Sequence, residues 1–354
     1  MTPDEAVEES SPAAETVDTP GQAAPDVSAP GPAGKTRSLP ALGSAPGPLL
    51  PGDPFSRAGR KAMWPHVERL LAREAALRDP SATDALKRYR VATRRLRAAI
   101  RVFRDAYPGR ETKALRLELA HLAMAVGAVR DLDVRIAGLE AWSATIDPPV
   151  TEFVEPLRVA WAEQRTTAAA SLARHLDTKR HARLLRALSA FVTVDDAPAS
   201  SGGPPDRLVR DRAASAIWSA YELVRAYAPV IRQADLATLH RLRIETKRLR
   251  YTLEFLGEVL GPERPWLIAR LVDLQDHLGS LNDAAIAAVA TRTFLGDGEA
   301  ALAAGERAAI EQYLGDRERE VGRVRRSLGR VWRPVVGVTF TRRLGRAVAI
   351  RTTQ

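Results

Sequence analysis

Lys87–Arg104 reads KRYRVATRRLRAAIRVFR, and eight of its eighteen residues are lysine or arginine, with no acid among them. Lys87, Arg90, Arg94, Arg97, Arg101 and Arg104 recur at spacings of three and four. On an α-helix that spacing makes one stripe about 25 Å long. Tyr89, Thr93, Leu96, Ile100 and Phe103 recur in the same way on a neighbouring stripe. The segment is therefore an amphipathic helix whose apolar side can be buried while a continuous row of cations faces something else. Ordinary solvated helices interleave acids with bases, because like charges one turn apart repel. Nothing inside this helix relieves that repulsion, so the row reads as an anion-binding surface.

Outward from this helix the chain stays helical from Phe55 onward. Breaks fall at Asp79-Pro80, Pro108-Gly109 and Asp147-Pro148-Pro149. The expected helices are 57–78, 84–106, 111–143 and 151–192 in a first set, then 207–232, 235–259, 264–294 and 300–350 in a second. The last helix of each set is expected to be interrupted, the first of them near Asp177. Between the sets runs DDAPASSGGPPD, residues 195–206, which reads as a linker. No strand-like alternation of useful length occurs.

The second set repeats the first. Arg243-Ile-Glu-Thr-Lys-Arg-Leu-Arg250 aligns with Arg90-Val-Ala-Thr-Arg-Arg-Leu-Arg97 at an offset of 153, and Leu278-Gly-Ser-Leu-Asn-Asp283 aligns with Val126-Gly-Ala-Val-Arg-Asp131 at 152. Ala216-Ile-Trp218 matches Ala62-Met-Trp64 ahead of each basic helix. Three matches in one order at nearly one offset indicate a tandem duplication. His240, Arg243, Lys247 and Arg250 then stand where Lys87, Arg90, Arg94 and Arg97 stand in the first copy. Leu242, Thr246, Leu249 and Leu253 keep the apolar spacing. The expected fold is all-α, a tandem-duplicated pair of four-helix bundles related by a pseudo-two-fold axis, with the two rows facing a common groove. The domains follow as 1–54, an acidic Ala/Pro-rich disordered tail; 55–194, the first helical repeat; 195–206, the linker; and 207–350, the second repeat.

The formal net charge of +10 understates the basicity of the body, because residues 1–54 carry a net −6 and leave +16 on the remainder. Such a body points to polyanions: polyphosphate, nucleic acid or an anionic surface. With no cysteine, disulfides, thiolate metal sites and a cysteine nucleophile are excluded. The acidic N-terminus lacks the apolar core of a secretory signal, and no run has the length needed to insert in a membrane. A cytoplasmic protein is expected.

At its paired motifs the chain resembles the CHAD family, the conserved histidine α-helical domains. The motif reads roughly His-x-x-Arg-Val/Ile-x-x-Arg/Lys-Arg-Leu-Arg, followed by an LG…(R/N)D segment. Its first copy here is Lys87 to Arg97 with Gly127 and Arg130-Asp131, and its second is His240 to Arg250 with Gly279 and Asn282-Asp283. The resemblance covers about 57–346. It implies two four-helix bundles with basic surfaces that bind inorganic polyphosphate and can bring the protein to polyphosphate granules. One departure is chemical: Lys87 replaces the first family histidine, which keeps a cation but removes a group that titrates near neutrality. The ExExK strand motif of the triphosphate tunnel domain found in some members is absent from the sequence.

The polyphosphate-binding residues expected from these readings are Lys87, Arg90, Arg94, Arg97, Arg101, His240, Arg243, Lys247 and Arg250. Arginine forks can each bond two phosphate oxygens, and lysine adds a mobile point charge. Arg88, Arg95, Arg241 and Arg248 flank the rows as rim or plain surface. Asp131 and Asp133 could hold a divalent ion, but with Arg130 and Arg135 adjacent they read better as partners that orient arginines. No catalytic residue, metal site or cofactor is expected, since no Ser-His-Asp, P-loop or HExxH arrangement occurs. The alternative function is sequence-nonspecific nucleic-acid binding. Against it, Tyr89 and Phe103 lie on the core stripe, where they cannot stack on bases.

Overall fold

The computed structural model describes residues 39–79, 81–146, 152–194, 207–296 and 302–349. Among the described residues ten α-helices make up the body and no strand occurs. The first set is α1 (Phe55–Arg73), α2 (Thr83–Val102), α3 (Arg110–Ser143), α4 (Glu155–Leu176) and α5 (Lys179–Thr193). The second is α6 (Val209–Arg225), α7 (Leu236–Phe255), α8 (Arg264–Gly296), α9 (Ala304–Val336) and α10 (Val338–Val348).

Local chemistry explains most boundaries. The interruption expected near Asp177 separates α4 from α5, where the Thr178 hydroxyl accepts from His181 N at 3.0 Å and caps the new helix. Gly337, in an extended conformation, divides α9 from α10. Asp235 starts α7 by accepting from Thr238 N at 2.7 Å. Helix α6 stops at Arg225 rather than near 232, because Pro229 lacks an N–H and disfavours helical geometry in the residue before it.

In the first set α1 packs on α2, α2 on α3 and α3 on α4, with α5 returning to α1 and α3. In the second, α6, α7, α8 and α9 follow the same order and α10 returns to α6 and α8. The sets meet through α1 against α6, α2 against α7 and α4 against α9. One continuous apolar core runs through both sets, from Leu49 to Val348. A smaller cluster joins α3, α4 and α9, where the rings of Trp142 and Trp161 lie 5.1 and 6.3 Å from that of Tyr313. Among the described residues no helix is long and apolar enough to cross a membrane.

The expected tail over 1–54 needs correction in part. Residues 1–38 and the linker 195–206 lie outside the described residues. Residues 39–54 belong to the packed body. Leu39 and Leu42 lie against the core, Leu49 is buried in it, and the buried Asp53 accepts from Leu50 N at 2.8 Å and from Lys61 Nζ at 2.7 Å. Phe55 N donates to Arg207 O at 2.8 Å and Val209 N to Asp53 O at 2.9 Å, which ties this segment to the start of α6. A few leucines anchor a segment whose average composition looks too polar to fold.

Candidate anion-binding cleft

Both basic helices bury the stripe that their spacing marks as apolar. On α2, Leu86, Tyr89, Leu96, Ala99 and Ile100 are buried, and on α7 Leu239, Leu242, Leu249 and Leu253. Each helix also buries a threonine at the equivalent position: Thr93 Oγ1 donates to Tyr89 O at 3.0 Å and Thr246 Oγ1 to Leu242 O at 2.8 Å. The hydroxyls are satisfied within their own helices, so they cost the core little.

With those stripes inward and α2 packed against α7, the two rows converge on one cleft. Arg90, Arg94, Arg97 and Arg101 line it from α2, and His240, Arg243, Lys247 and Arg248 from α7. Ala120, Ala123, Met124 and Val126 of α3 supply an apolar wall. Small side chains there leave room between the arginines. The cleft joins residues roughly 150 positions apart in sequence, which is why no local motif could reveal it.

Acidic groups behind the rows fix the cations instead of neutralising the cleft. Arg90 Nη2 pairs with the buried Asp131 Oδ1 at 3.3 Å. Burial lowers the proton affinity of Arg90, the charge of Arg94 adds to this, and Asp131 opposes it. The aligned Asp283 lies near Arg243: burial raises its carboxyl above the usual range and Arg243 pulls it back. His240 Nδ1 is 3.0 Å from Asn282 Oδ1, so α8 holds its ring. A Cβ on Gly279 would lie 4.0 Å from Arg243 Nε, which places the glycine beside that buried side chain. Asp133 takes Arg165 Nε at 2.7 Å and Arg130 Nη1 at 3.6 Å. The Asp131/Asp133 pair thus positions arginines.

Seven of the nine expected residues line this cleft. Lys87 does not; it is exposed one turn before Arg90, past the end of the lining. Arg250 does not either, although its sequence equivalent Arg97 does. Arg250 is only 8% exposed, its Nε is 3.4 Å from Glu254 Oε1, and its guanidinium lies 5.2 Å from the Tyr251 ring centre. Arg95, 4.9 Å from the same ring, bonds the other oxygen of Glu254. This is an ion-paired seam between α2 and α7. The i,i+4 spacing of Arg250 and Glu254 was the sequence signal for it. Arg248, read as rim, joins the lining. Burial lowers its proton affinity; Glu245 opposes this and the facing charges of Arg101 and Arg104 reinforce it. Its approach to Arg101 and Arg104 across the helix pair carries no local sequence signal.

The site is a cleft lined by cations from two packed helices of an all-helical protein. Comparison with known proteins gives the family: residues 61–292 match the CHAD domain model, and the chain belongs to the CHAD family. The crystal structure of the CHAD domain from the plant Ricinus communis shares its fold, with a TM-score of 0.58 at 22% identity over 89% of this chain and 99% of that one. PptA from Streptomyces chartreusis does so with a TM-score of 0.61 at 17% identity, covering 79% of this chain and 100% of that one. Uncharacterized proteins from two strains of Mycobacterium tuberculosis are each 30% identical over 261 residues, which is 70% of this chain. The chain spans about half, 48%, of the length of these curated relatives.

Proposed function

We propose that this protein binds inorganic polyphosphate in the cleft between α2 and α7, without chemistry and without a cofactor. The observation that carries this reading is the convergence of both basic rows on one cleft. A linear polyphosphate repeats a negative charge at every unit, and rigid helices offering cations every three or four residues match such a polymer without reading any sequence in it. Guanidinium forks bond phosphate oxygens in pairs, and release of condensed counterions supplies much of the affinity. The aromatic ring lining the cleft, Tyr251, is 3% exposed and covered by Arg95 and Arg250, so it offers no face for a base. That weighs against nucleic acid.

The same contacts support a binding role over a catalytic one. Asp131 and Asp133 are engaged by arginines and His240 is held by Asn282, which leaves none of these three, among the described residues, as a general base with a nucleophile beside it. Recruitment to polyphosphate granules in the cytoplasm would follow from binding alone. A competition at fixed ionic strength tests the reading: labelled long-chain polyphosphate is bound first, then displaced with unlabelled polyphosphate, single-stranded DNA or duplex DNA. Displacement by polyphosphate at much lower phosphate concentration than by either nucleic acid is expected. Equal displacement by all three would put nucleic-acid binding in its place.

A further inference from the structure

Helix α9 contains three consecutive seven-residue units, Gly315–Val321 (GDREREV), Gly322–Leu328 (GRVRRSL) and Gly329–Val335 (GRVWRPV), each with glycine first and arginine fifth. The first unit is neutralised: Arg319 bonds Asp316 and Arg317 bonds Glu320, each at 2.6 Å, while Arg292 of α8 bonds Glu318. The next two are not. From Val321 to Ala349 the chain has eight arginines and no acidic residue. Arg323 reaches back to Glu320 at 3.7 Å, and Arg326, Arg330 and Arg333 are exposed with no acidic partner among the described residues. Arg323, Arg326, Arg330 and Arg333 follow one another at three, four and three, so they form a stripe about 15 Å long.

The glycines bear on how the stripe is presented. A Cβ on Gly322 would stand 3.3 Å from Arg326 Nη1, and one on Gly315 3.2 Å from Arg319 Nη1. In these units the fifth-position guanidinium folds back over its own glycine. Glycine is a poor helix former, so its recurrence in an outer helix is offset by this seating of arginine. The opposite side of α9 is apolar and buried through Leu328, Trp332 and Val335. Helix α9 lies along α8, where His277 Nε2 is 2.8 Å from Val324 O, and α7 with its cleft row packs on α8 in turn. The stripe is therefore separate from the cleft.

We infer that Arg323, Arg326, Arg330 and Arg333 form a second polyanion-binding face, which takes a second polyphosphate strand while the first lies in the cleft, so that one molecule bridges two chains. The inference rests on the cleft reading above. Charge complementarity selects the occupant: three of the four arginines, Arg326, Arg330 and Arg333, have no acidic partner among the described residues, and the aromatic within the stripe, Trp332, is turned into the core, 5% exposed, where it cannot stack on a base.

The experiment immobilises long-chain polyphosphate, loads it with full-length protein, washes, and then adds a fluorescent second chain. Wild type captures the second chain. The variant R326E/R330E/R333E, with an unchanged circular dichroism spectrum, still loads on the immobilised chain within about twofold of wild type and loses the second capture, since the two faces bind independently. Second-chain capture by this variant at the wild-type level would overturn the inference, as would a wild type that loads but captures nothing; the cleft reading survives both results. Failure of wild type to load at all would remove the cleft reading itself and the bridge with it. If the triple reversal instead abolished co-sedimentation with phosphatidylserine vesicles and left second-chain capture intact, the face would serve a lipid headgroup and the bridge would fall.

Discussion

Arg97 and Arg250 occupy equivalent positions in the two basic motifs and do different work. Arg97 lines the cleft, whereas Arg250 sits in a buried seam on Glu254. Truncating Arg250 to alanine removes a buried ion pair but leaves Arg95 on Glu254, so a loss of about 1–3 kcal/mol is expected in urea denaturation. Arg97→Ala should leave the urea midpoint in place and weaken polyphosphate binding about tenfold, the order of one charge-assisted hydrogen bond. The reverse pattern would reassign both residues. A second residue-scale expectation concerns acid. Burial would raise the Glu74 carboxyl, but His181, whose Nε2 lies 3.6 Å from it, and the hydrogen bonds from Arg78 outweigh this and hold the group at about 2. Burial and the charges of Arg95 and Arg69 hold the His66 imidazole at about 3. Both groups have folded values below their unfolded ones, so each stabilises the fold at neutral pH and loses that contribution on acidification. The His66 share falls away from about pH 6.5 downward, and the Glu74 share from about pH 4.5 downward. Stability measured by denaturant should therefore decline steadily below neutrality, and Glu74→Gln should flatten the more acid part. A flat profile from pH 7 to 4.5 would contradict the His66 assignment, and a flat one from pH 4.5 to 2 the Glu74 assignment. Sequence spacing shows Arg78 one turn from Glu74 and Arg69 one turn from His66, but His181 and Arg95 reach them from other helices.

At the scale of elements, the basic helices were legible because a helix that must bury one stripe leaves a periodic mark in its sequence. Tyr89, Thr93, Leu96, Ile100 and Phe103 are all buried as that mark requires. The interruption near Asp177 was also visible, as was one in the last helix. What escaped was context. Residues 39–54 were read as tail because four leucines are diluted among Pro, Gly and Ser, and the seating of Leu49 and Asp53 depends on α6, far along the chain. The convergence of the rows depended on α2 packing against α7, an expectation drawn from the two matching motifs, whereas the inward lean of Arg248 was not implied by anything local. Charge reversal on either helix tests the elements separately. R94E/R97E and K247E/R248E should each retain helicity, since these side chains lie off the apolar stripes, and each should weaken polyphosphate by more than tenfold, given two lost contacts and two introduced repulsions. Loss of cooperative unfolding in either variant would mean that the row is part of the packing.

For the whole molecule, a basic body facing a polymer predicts steep salt dependence: the logarithm of the affinity should fall linearly with the logarithm of salt concentration, with a slope that grows with the number of phosphates engaged. Between pH 6 and 9 the affinity should hardly change, because the cleft is lined by arginines and one lysine, with His240 its one histidine. A steep loss of affinity across this range would instead make His240 the dominant contact. On the proposed reading α2 and α7 act on one polymer. The most direct measurement is the affinity of wild type, R94E/R97E and K247E/R248E for a long polyphosphate and for an oligomer short enough to rest on one row. If the rows share the cleft, each raises the effective concentration of polymer at the other, so either double reversal weakens the long chain by far more than the short one. Equal losses for long and short chains would contradict a shared cleft.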